Sequence, residues 1–333
     1  MPPASIQFPL IRWIIAFIGL GFSMLASYLI PKATGPVQRG FFCDDESIRY
    51  PYKENTVDPV LPRMRLLLRL HRHGASSTRR RRDSRLFLSM TIDWTPEIIA
   101  TELIYNRLCL YAGAYSPGQI PNYKIGSLKI PYVIVRMFFA FAVAQIGLGT
   151  GIVIMNMTKY TVGRLRPHFI DLCKPNVTLA NCSSTHQYIE NYVCESGADA
   201  KLIVDAHLSF FSGHTSNAFF FALYIVLYLH LRLGKQFFDV IVFPLYYMVL
   251  IGAAAFVGYS RIFDYKHHWS DVLCGAIFGC FMAVLTVVYF RKLLVLPPIR
   301  PELRSRVQFV NENEGSARVV DEAPQTLGLT EQV

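Results

Sequence analysis

Long uninterrupted runs of apolar residues dominate the chain and alternate with polar connections. Each run approaches the length of about 20 residues that an α-helix needs to cross the hydrocarbon core of a bilayer. Because that core offers backbone polar groups no water, the runs predict helices rather than open strands. They cover residues 8–30, 132–157, 215–233, 237–258 and 272–289. The pattern therefore predicts an all-α, polytopic helical bundle in a membrane.

The first run, 8–30, is too close to the N-terminus to follow the basic leading region of a signal peptide. It is also longer than the apolar part of a typical signal peptide, and no clear small-residue cleavage site follows it. We interpret it as a retained anchor or an uncleaved signal. In the run 132–157, Gly147, Gly149 and Gly151 follow no strand, so they indicate close helix packing rather than a nucleotide-binding loop.

Composition excludes an ordinary soluble enzyme, because 52% of the 333 residues are hydrophobic. The net charge of +10 would suggest nucleic-acid binding in a soluble protein. Much of that charge, however, lies in one segment, 63–85, and no nucleic-acid-binding fold signature accompanies it. We therefore expect no nucleic-acid partner and interpret the segment as a loop on the cytosolic side.

An arginine-rich segment, 62–92, contains apolar stretches that never run long enough to cross a bilayer, and we treat it as an atypical insert or replacement segment. Each arginine near the centre of a span costs about 2.5–3.5 kcal/mol, so several together exclude crossing. A surface-lying amphipathic helix and a disordered basic loop both remain open, and Gly74-Ala75-Ser76-Ser77-Thr78 favours the loop. The stretch 97–111 is weakly amphipathic and predicts a helix shorter than a span. The tail, 299–333, is charged and predicts a disordered cytosolic segment.

The polar loop 159–206 has the character of a lumenal or extracellular segment. It contains three cysteines and two N-glycosylation patterns, namely Cys173, Cys182, Cys194, Asn176-Val177-Thr178 and Asn181-Cys182-Ser183. Clustered cysteines in such a loop predict one or more disulfides, whose pairing the sequence leaves open. Basic residues at the other ends of the spans, Arg232, Lys235, Arg291 and Lys292, indicate that those ends face the cytosol.

Three polar clusters are therefore expected at the outer ends of the helices. They are Lys159 to Pro167 after one span, Ser209 to His214 before the next, and Ser260 to Asp271 between the last two spans. Ionisable residues at the mouth of membrane helices usually mark function. Arg261 offers a planar set of donors suited to phosphate or carboxylate. Asp271 could orient either His267 or His268, since it lies four residues after one and three after the other.

These clusters resemble the three motifs of the type 2 phosphatidic acid phosphatase superfamily, written KxxxxxxRP, PSGH and SRxxxxxHxxxD. The first runs from Lys159 to Arg166-Pro167, and the third joins Ser260-Arg261, His267 and Asp271. The second departs only at Phe211, which stands at the proline position, where the animal lipid phosphate phosphatase branch also has an aromatic residue. The flanking Arg164-Leu165-Arg166-Pro167-His168-Phe169 is similar to that animal branch. The resemblance covers roughly residues 5–60 and 93–295, within a membrane phosphatase domain expected at 1–298.

The resemblance implies an integral membrane enzyme that hydrolyses phosphatidate, lysophosphatidate, sphingosine 1-phosphate and ceramide 1-phosphate through a phosphohistidine intermediate. It selects His267 as the nucleophile, Asp271 as the residue that orients it, and His214 as the general acid and base. The residues that bind phosphate would be Lys159, Arg166, Ser212, Gly213 and Arg261. The clusters lack the convergent carboxylates of a Mg²⁺ site, so we expect no metal and no cofactor. Assembly into a homo-oligomer stays open, as does the choice between the plasma membrane and an endomembrane, with the site facing outward or into a lumen.

Members of this family have six spans, and here the second is disrupted or replaced. With the N-terminus inside and one span lost, the active site would face the cytosol. Alternatively, an N-terminus outside and 32–130 within the cytosol would keep the site outward. A third explanation is alternative splicing or a mistaken exon boundary. Competing functions are a catalytically silent signalling or scaffold relative, an inactive isoform, and a lipid phosphotransferase, which would use an alcohol instead of water as acceptor.

Overall fold

Helices form most of the structure, a computed structural model that describes residues 5–7, 9–56, 95–111, 122–177, 186–233 and 242–295. In chain order the helices are α1 Leu10–Thr34, α2 Thr95–Tyr111, α3 Tyr132–Val162, α4 Phe169–Cys173, α5 Ala200–Ala206, α6 Gly213–Leu233, α7 Val242–Phe263, α8 Trp269–Tyr289 and α9 Arg291–Val295. The arginine-rich segment 62–92 and the tail 299–333 lie outside the described residues.

Short strands supplement the helices at two places. They are β1 Ser5–Gln7, β2 Phe41–Phe42, β3 Asn122–Ile125, β4 Leu128–Ile130 and β5 Tyr188–Ile189. The strand β3 lies between β1, which is parallel to it, and β4, which is antiparallel to it. The pair β2 and β5 is antiparallel and joins the segment after α1 to the polar loop before α5.

The predicted spans are confirmed. Within the described part of the chain, five helices are long and apolar enough to cross a membrane: α1, α3, α6, α7 and α8. The helix α3 continues past the predicted end at residue 157 and includes Lys159 in its last turn. The helix α6 begins at Gly213, so that His214 falls in its first turn. The predicted short helix at 97–111 is also present, as α2.

Close packing of α8 against α6 depends on two glycines four residues apart. A Cβ atom on Gly275 would lie 2.6 Å from the carbonyl oxygen of Ser212, and one on Gly279 would collide with the carbonyl oxygen of Ser216. Small residues at this spacing let two helix backbones approach within a membrane. A Cβ on Gly147 would collide with the Thr286 side chain of α8, and one on Gly149 would lie 2.9 Å from the Leu20 side chain of α1, whereas Gly151 makes only ordinary contacts. The packing role predicted for the glycines of α3 is therefore confirmed for Gly147 and Gly149.

The ends of the bundle differ in what they bring together. The backbone N–H of Val37, just after α1, donates to the carbonyl of Tyr160 near the end of α3, so α1 and α3 run in the same direction. The N-terminal strand β1 pairs with β3, which precedes α3, at the opposite end of the bundle. The segment directly after α1 and the strands β3 and β4 therefore lie at opposite ends of the bundle. The alternative that places all of 32–130 on one side of the membrane is wrong.

A buried ion pair fixes α2 at the end that includes the N-terminus. The Nη2 and Nε atoms of Arg232 donate to both carboxylate oxygens of Glu102, at 2.6 and 2.8 Å, and the hydroxyl of Tyr228 also donates to that carboxylate. The guanidinium carbon of Arg232 lies 3.9 Å from the ring centre of Tyr105. Each buried charge thus has its partners, which is the condition under which burial of an ion pair is tolerated.

The first prediction concerns the contact between α6 and α8. Gly279→Ala should lower the free energy of unfolding by about 1–3 kcal/mol, because the added Cβ forces the two helix backbones apart. Gly252→Ala in α7 is the matched control, since a Cβ there meets nothing within 4 Å. That change should leave stability unchanged or raise it slightly, as alanine favours helices over glycine. Thermal unfolding in detergent measures both, and equal midpoints would contradict the packing argument.

Candidate active site

The first cluster turns sharply at the end of α3. Gly163 has a φ of +56° and donates its N–H to the carbonyl of Lys159. A side chain at Gly163 would also collide with the carbonyl oxygen of Val37. Glycine is favoured here because the left-handed conformation and the close approach both exclude a Cβ. The turn directs the following residues, Arg164 and Arg166, across the end of the bundle.

Backbone hydrogen bonds connect the three clusters. The N–H of Ser209 donates to the carbonyl of Arg164 at 2.9 Å, which links the second cluster to the first. The N–H of Ser212 donates to the carbonyl of Asp271 at 3.1 Å, which links the second to the third. These bonds do not depend on side-chain rotamers. The prediction that the three clusters lie together at one end of the helices is confirmed.

Three cationic side chains belong to the assembled site. Lys159 donates from Nζ to the carbonyl of Leu208 at 3.0 Å. Arg166 forms an ion pair with Asp205 at 2.8 Å, although about half of the Asp205 side chain, 52%, remains exposed. Arg261 is almost fully buried and pairs with Asp264 at 3.0 Å.

His214 lies among the same charges. It is within electrostatic range of Lys159, Arg166 and Arg261, and of the Asp205 carboxylate. The neighbouring Gly213 is sterically restricted, because a Cβ on it would collide with the sulfur of Met155 in α3. Ser212 is fully buried, and its hydroxyl accepts a hydrogen bond of 2.9 Å from the Thr215 hydroxyl. The first turn of α6 therefore presents a histidine and a helix N-terminus to the cationic group.

Asp271 is held by more groups than the sequence indicated. Its carboxylate accepts hydrogen bonds of 2.6 Å from both Arg164 Nη1 and the Ser209 hydroxyl. It also accepts the backbone N–H of His268 at 3.1 Å, and it lies 3.3 Å from His268 Nδ1 but 3.8 Å from His267 Nδ1. The helix α8 begins at Trp269, with His268 as its extended N-cap residue and Asp271 reaching back to cap it.

The two histidines differ in their surroundings. His267 is 3% exposed and lies within range of the charges of Arg166 and Lys159. Burial, with those charges, holds the pKa of His267 well below its usual range, so the ring is neutral near neutral pH. His268 instead lines a separate cavity of about 240 Å³ together with Arg39 and Arg164. His267 is thus the histidine of the pair that belongs to the cationic group.

The segment after α1 lies across the site, which sequence reasoning missed. The N–H of Tyr50 donates to the carbonyl of Pro167, and its ring stacks on that of Tyr265 at 4.5 Å. Asn55 Oδ1 accepts from Arg261 Nη1 at 3.1 Å, and the hydroxyl and N–H of Thr56 donate to Asp264. Contacts between residues more than 200 positions apart have no periodic signal in the chain.

A disulfide and an exposed asparagine characterise the loop beyond the site. Cys173 and Cys194 form the disulfide, which confirms that prediction and supplies the pairing that the sequence left open. Asn176 is exposed, and its Oδ1 accepts the N–H of Val193 at 3.0 Å. Asn181 and Cys182 lie outside the described residues. Among the residues with assigned positions, no group of three or more His, Cys, Asp or Glu side chains could hold a metal ion.

Comparison with known proteins gives a consistent result. Residues 134–294 match the family model described as the PAP2 superfamily. Phospholipid phosphatase 1 of Rattus norvegicus is 34% identical over 276 residues, which are 83% of this chain and 81% of that protein. Phospholipid phosphatase 2 of Homo sapiens is 31% identical over 281 residues, 84% of this chain and 83% of that protein. A putative phosphatidate phosphatase of Drosophila melanogaster is 28% identical over 312 residues, 91% and 74% of the two chains. No solved structure matches the chain.

Single-histidine variants test which ring reacts. We expect His267→Ala to abolish phosphate release from lysophosphatidate and His214→Ala to lower it by about 10²–10⁴-fold. His268→Ala should retain much of the activity, because that ring lies toward the separate cavity. Phosphate release by equal amounts of folded protein, checked by thermal unfolding, measures all three. An equal loss in the His268 variant would reverse the assignment, since His268 lies nearer to Asp271.

Proposed function

Because the chain belongs to the PAP2 superfamily, in its animal lipid phosphate phosphatase branch, we propose that it hydrolyses lipid phosphomonoesters through a phosphohistidine formed on His267. The family establishes a membrane-embedded lipid phosphatase. Phosphatidate, lysophosphatidate, sphingosine 1-phosphate and ceramide 1-phosphate are the proposed substrates. The observation that carries the mechanism is the convergence of Lys159, Arg166 and Arg261 with His214 and His267 at one end of the bundle.

The first step is attack by the neutral His267 ring on phosphorus. A nitrogen–phosphorus bond forms, the bond from phosphorus to the lipid oxygen breaks, and protonated His214 gives its proton to the departing alkoxide. Asp271 faces the other ring nitrogen of His267 and stabilises the positive charge that develops on the ring. Its position is fixed by Arg164 and Ser209, so a modest movement of His267 from 3.8 Å would complete that hydrogen bond.

Water completes the cycle. His214, now neutral, accepts a proton from water while the oxygen attacks phosphorus, and the nitrogen–phosphorus bond breaks to release inorganic phosphate. In both steps Lys159, Arg166 and Arg261 neutralise charge on the phosphoryl oxygens, and the backbone at Gly213 can approach them because glycine has no side chain. These cations supply the electrostatic stabilisation that a metal ion provides in other phosphatases. We therefore propose a metal-independent reaction.

The location of the site favours a lipid substrate. The site lies at the ends of α3, α6, α7 and α8, and the apolar residues of α7 are largely exposed, as in a helix that faces lipid. A phosphomonoester with a long apolar tail could keep its tail in the leaflet while its phosphate enters the cationic group. We propose that this end faces the extracellular space or a lumen.

Metal independence is tested by phosphate release from purified protein in excess EDTA. We expect turnover of phosphatidate and lysophosphatidate at the rate measured without the chelator, because the stabilising charges are side chains. Denatured protein and His214→Ala serve as controls for background release. Loss of activity in EDTA that Mg²⁺ restores would contradict the proposal. Inactivity under every condition would favour a silent relative, and transfer of the phosphoryl group to an added alcohol would favour a phosphotransferase.

Orientation is tested by glycosylation of Asn176. This residue is exposed and lies at the site end of the bundle, so an outward-facing site should carry a glycan there. Asn176→Gln should lower the apparent mass on gel electrophoresis by that of one glycan. Glycosidase treatment of the parent protein is the control. An N-terminal epitope should be reached only after permeabilisation, since β1 lies at the opposite end. An unmodified Asn176 with an externally accessible N-terminus would contradict the outward orientation.

A further inference from the structure

A buried lysine next to the proposed nucleophile lacks an anionic partner. Lys266 is 6% exposed, and its Nζ lies 3.7 Å from the ring centre of Tyr52. Within the described residues its ammonium group makes no hydrogen bond or ion pair; the aromatic face is its partner. The stem of Lys266 is buried while its ammonium nitrogen keeps some contact with solvent, so the charge is open to a further acceptor.

The nearby carboxylates are already engaged. Asp264 accepts from Arg261 and, through both of its oxygens, from Thr56. Asp205 accepts from Arg166. Neither carboxylate is within hydrogen-bonding distance of Lys266, although both act on its charge from farther away. The ammonium group of Lys266 can therefore donate to another acceptor.

A second unpartnered donor belongs to the same cationic group. The Nε atom of Arg166 is buried and has no hydrogen-bond partner among the residues that the structure describes. Arg166 is also the charge that acts most strongly on Lys266, and together with burial it lowers the pKa of Lys266 to about 8. Two interacting cationic side chains, each with a donor atom that lacks an acceptor among the described residues, are suited to an anion with several oxygens.

We propose that Lys266 is a further phosphate-binding residue, which donates from Nζ to the same phosphoryl group as Arg166. The inference rests on the proposed function and extends its site beyond the residues that the motifs contain. A phosphomonoester dianion has enough oxygens to accept from Lys266 in addition to Lys159, Arg166 and Arg261. The ring of Tyr52 would hold the ammonium group in place by a cation–π contact before the ligand binds.

The backbone around Lys266 supports this orientation. The N–H groups of Lys266 and His267 both donate to the carbonyl of Arg261, so the lysine and the proposed nucleophile share one rigid turn. His168 Nδ1 lies 2.7 Å from the carbonyl of Tyr265, and its ring packs edge-on against Tyr52. The lysine, its aromatic support and the first cluster thus form a single packed unit.

Equilibrium binding to purified full-length protein in detergent tests the proposal without requiring turnover. The probes are a long-chain alkyl phosphonate, which cannot be hydrolysed, and inorganic phosphate. Lys266→Met should weaken binding of both probes by about tenfold or more, because a charge-assisted hydrogen bond is lost. Lys266→Arg should stay within about threefold of the parent protein. Lys53→Met is the matched control and should change nothing, since Lys53 is an exposed lysine that lies 4.2 Å from the ring centre of Tyr265.

Stability separates a ligand-binding lysine from a structural one. Replacement of an unpaired buried charge by methionine should leave the unfolding midpoint unchanged or raise it, while binding falls. A lower midpoint for Lys266→Met with unaltered phosphate binding would overturn the proposal. Weaker binding of the phosphonate alone would also overturn it, because Lys266 would then contact another part of the lipid. Equal effects of the Lys266 and Lys53 variants would do the same.

The pH dependence gives an independent readout. Lys266 is protonated below its pKa of about 8, so the affinity of the parent protein for the phosphonate should decline as the pH rises through that value. Lys266→Arg should make this decline shallower than in the parent protein, because one titrating donor is lost. An unchanged pH profile in Lys266→Arg would contradict the proposal. The groups that face Lys266 are Arg166, His168, Asp205, Arg261, Asp264 and Tyr52. If the parent protein binds phosphonate but releases no phosphate from lipids, the proposed function fails while this inference is still decided by binding.

Discussion

The hydrogen bond from the N–H of Ser212 to the carbonyl of Asp271 is the contact on which the geometry of the site depends. It joins the start of α6 to the start of α8, two helices whose close approach Gly275 and Gly279 allow. This contact holds the two helix starts together, and with them the neighbouring His214 and His267. Because backbone atoms make the bond, the register of the site is set before any side chain binds phosphate. A catalytic constellation needs this precision, since small misplacements cost large factors in rate.

Charge at the site end is unevenly compensated. Asp271 and Asp264 are nearly fully buried and have several donors each, so they serve to fix Arg164 and Arg261. Arg166 and Lys266 have fewer partners. Among the described residues, Arg166 Nε has no acceptor, and Lys266 contacts the ring of Tyr52 instead of an anion. Asp205, the carboxylate partner of Arg166, is half-exposed, whereas the Arg166 side chain is mostly buried. The pocket is thus prepared for an anion that brings more charge than a carboxylate does.

Much of this arrangement could be predicted from the sequence, and the limits have physical causes. Apolar run length gave the five spans to within a few residues, because the bilayer imposes a length on any helix that crosses it. The convergence of the three clusters could be predicted because each of them adjoins the end of a predicted span on the same side of the bundle. The helix α8 begins three residues before the predicted run at 272–289, as a helix start depends on capping contacts rather than on the length of an apolar run. Asn55, Thr56, Asp205 and Lys266 were missed because their contacts join distant segments through irregular backbone.

Buried arginines at the opposite end of the bundle have a structural role. There Arg232 donates twice to Glu102, and the Arg136 guanidinium donates to the carbonyls of Leu293 and Leu294 at the end of α9. These arginines are buried, as Arg261 is, and their terminal nitrogens find acceptors inside the protein, although Arg136 Nε has none among the described residues. A charge that the fold needs is compensated by the fold. Lys266 differs because its ammonium group contacts an aromatic ring and no anion among the described residues, which is why we assign it a phosphoryl oxygen of the substrate as acceptor.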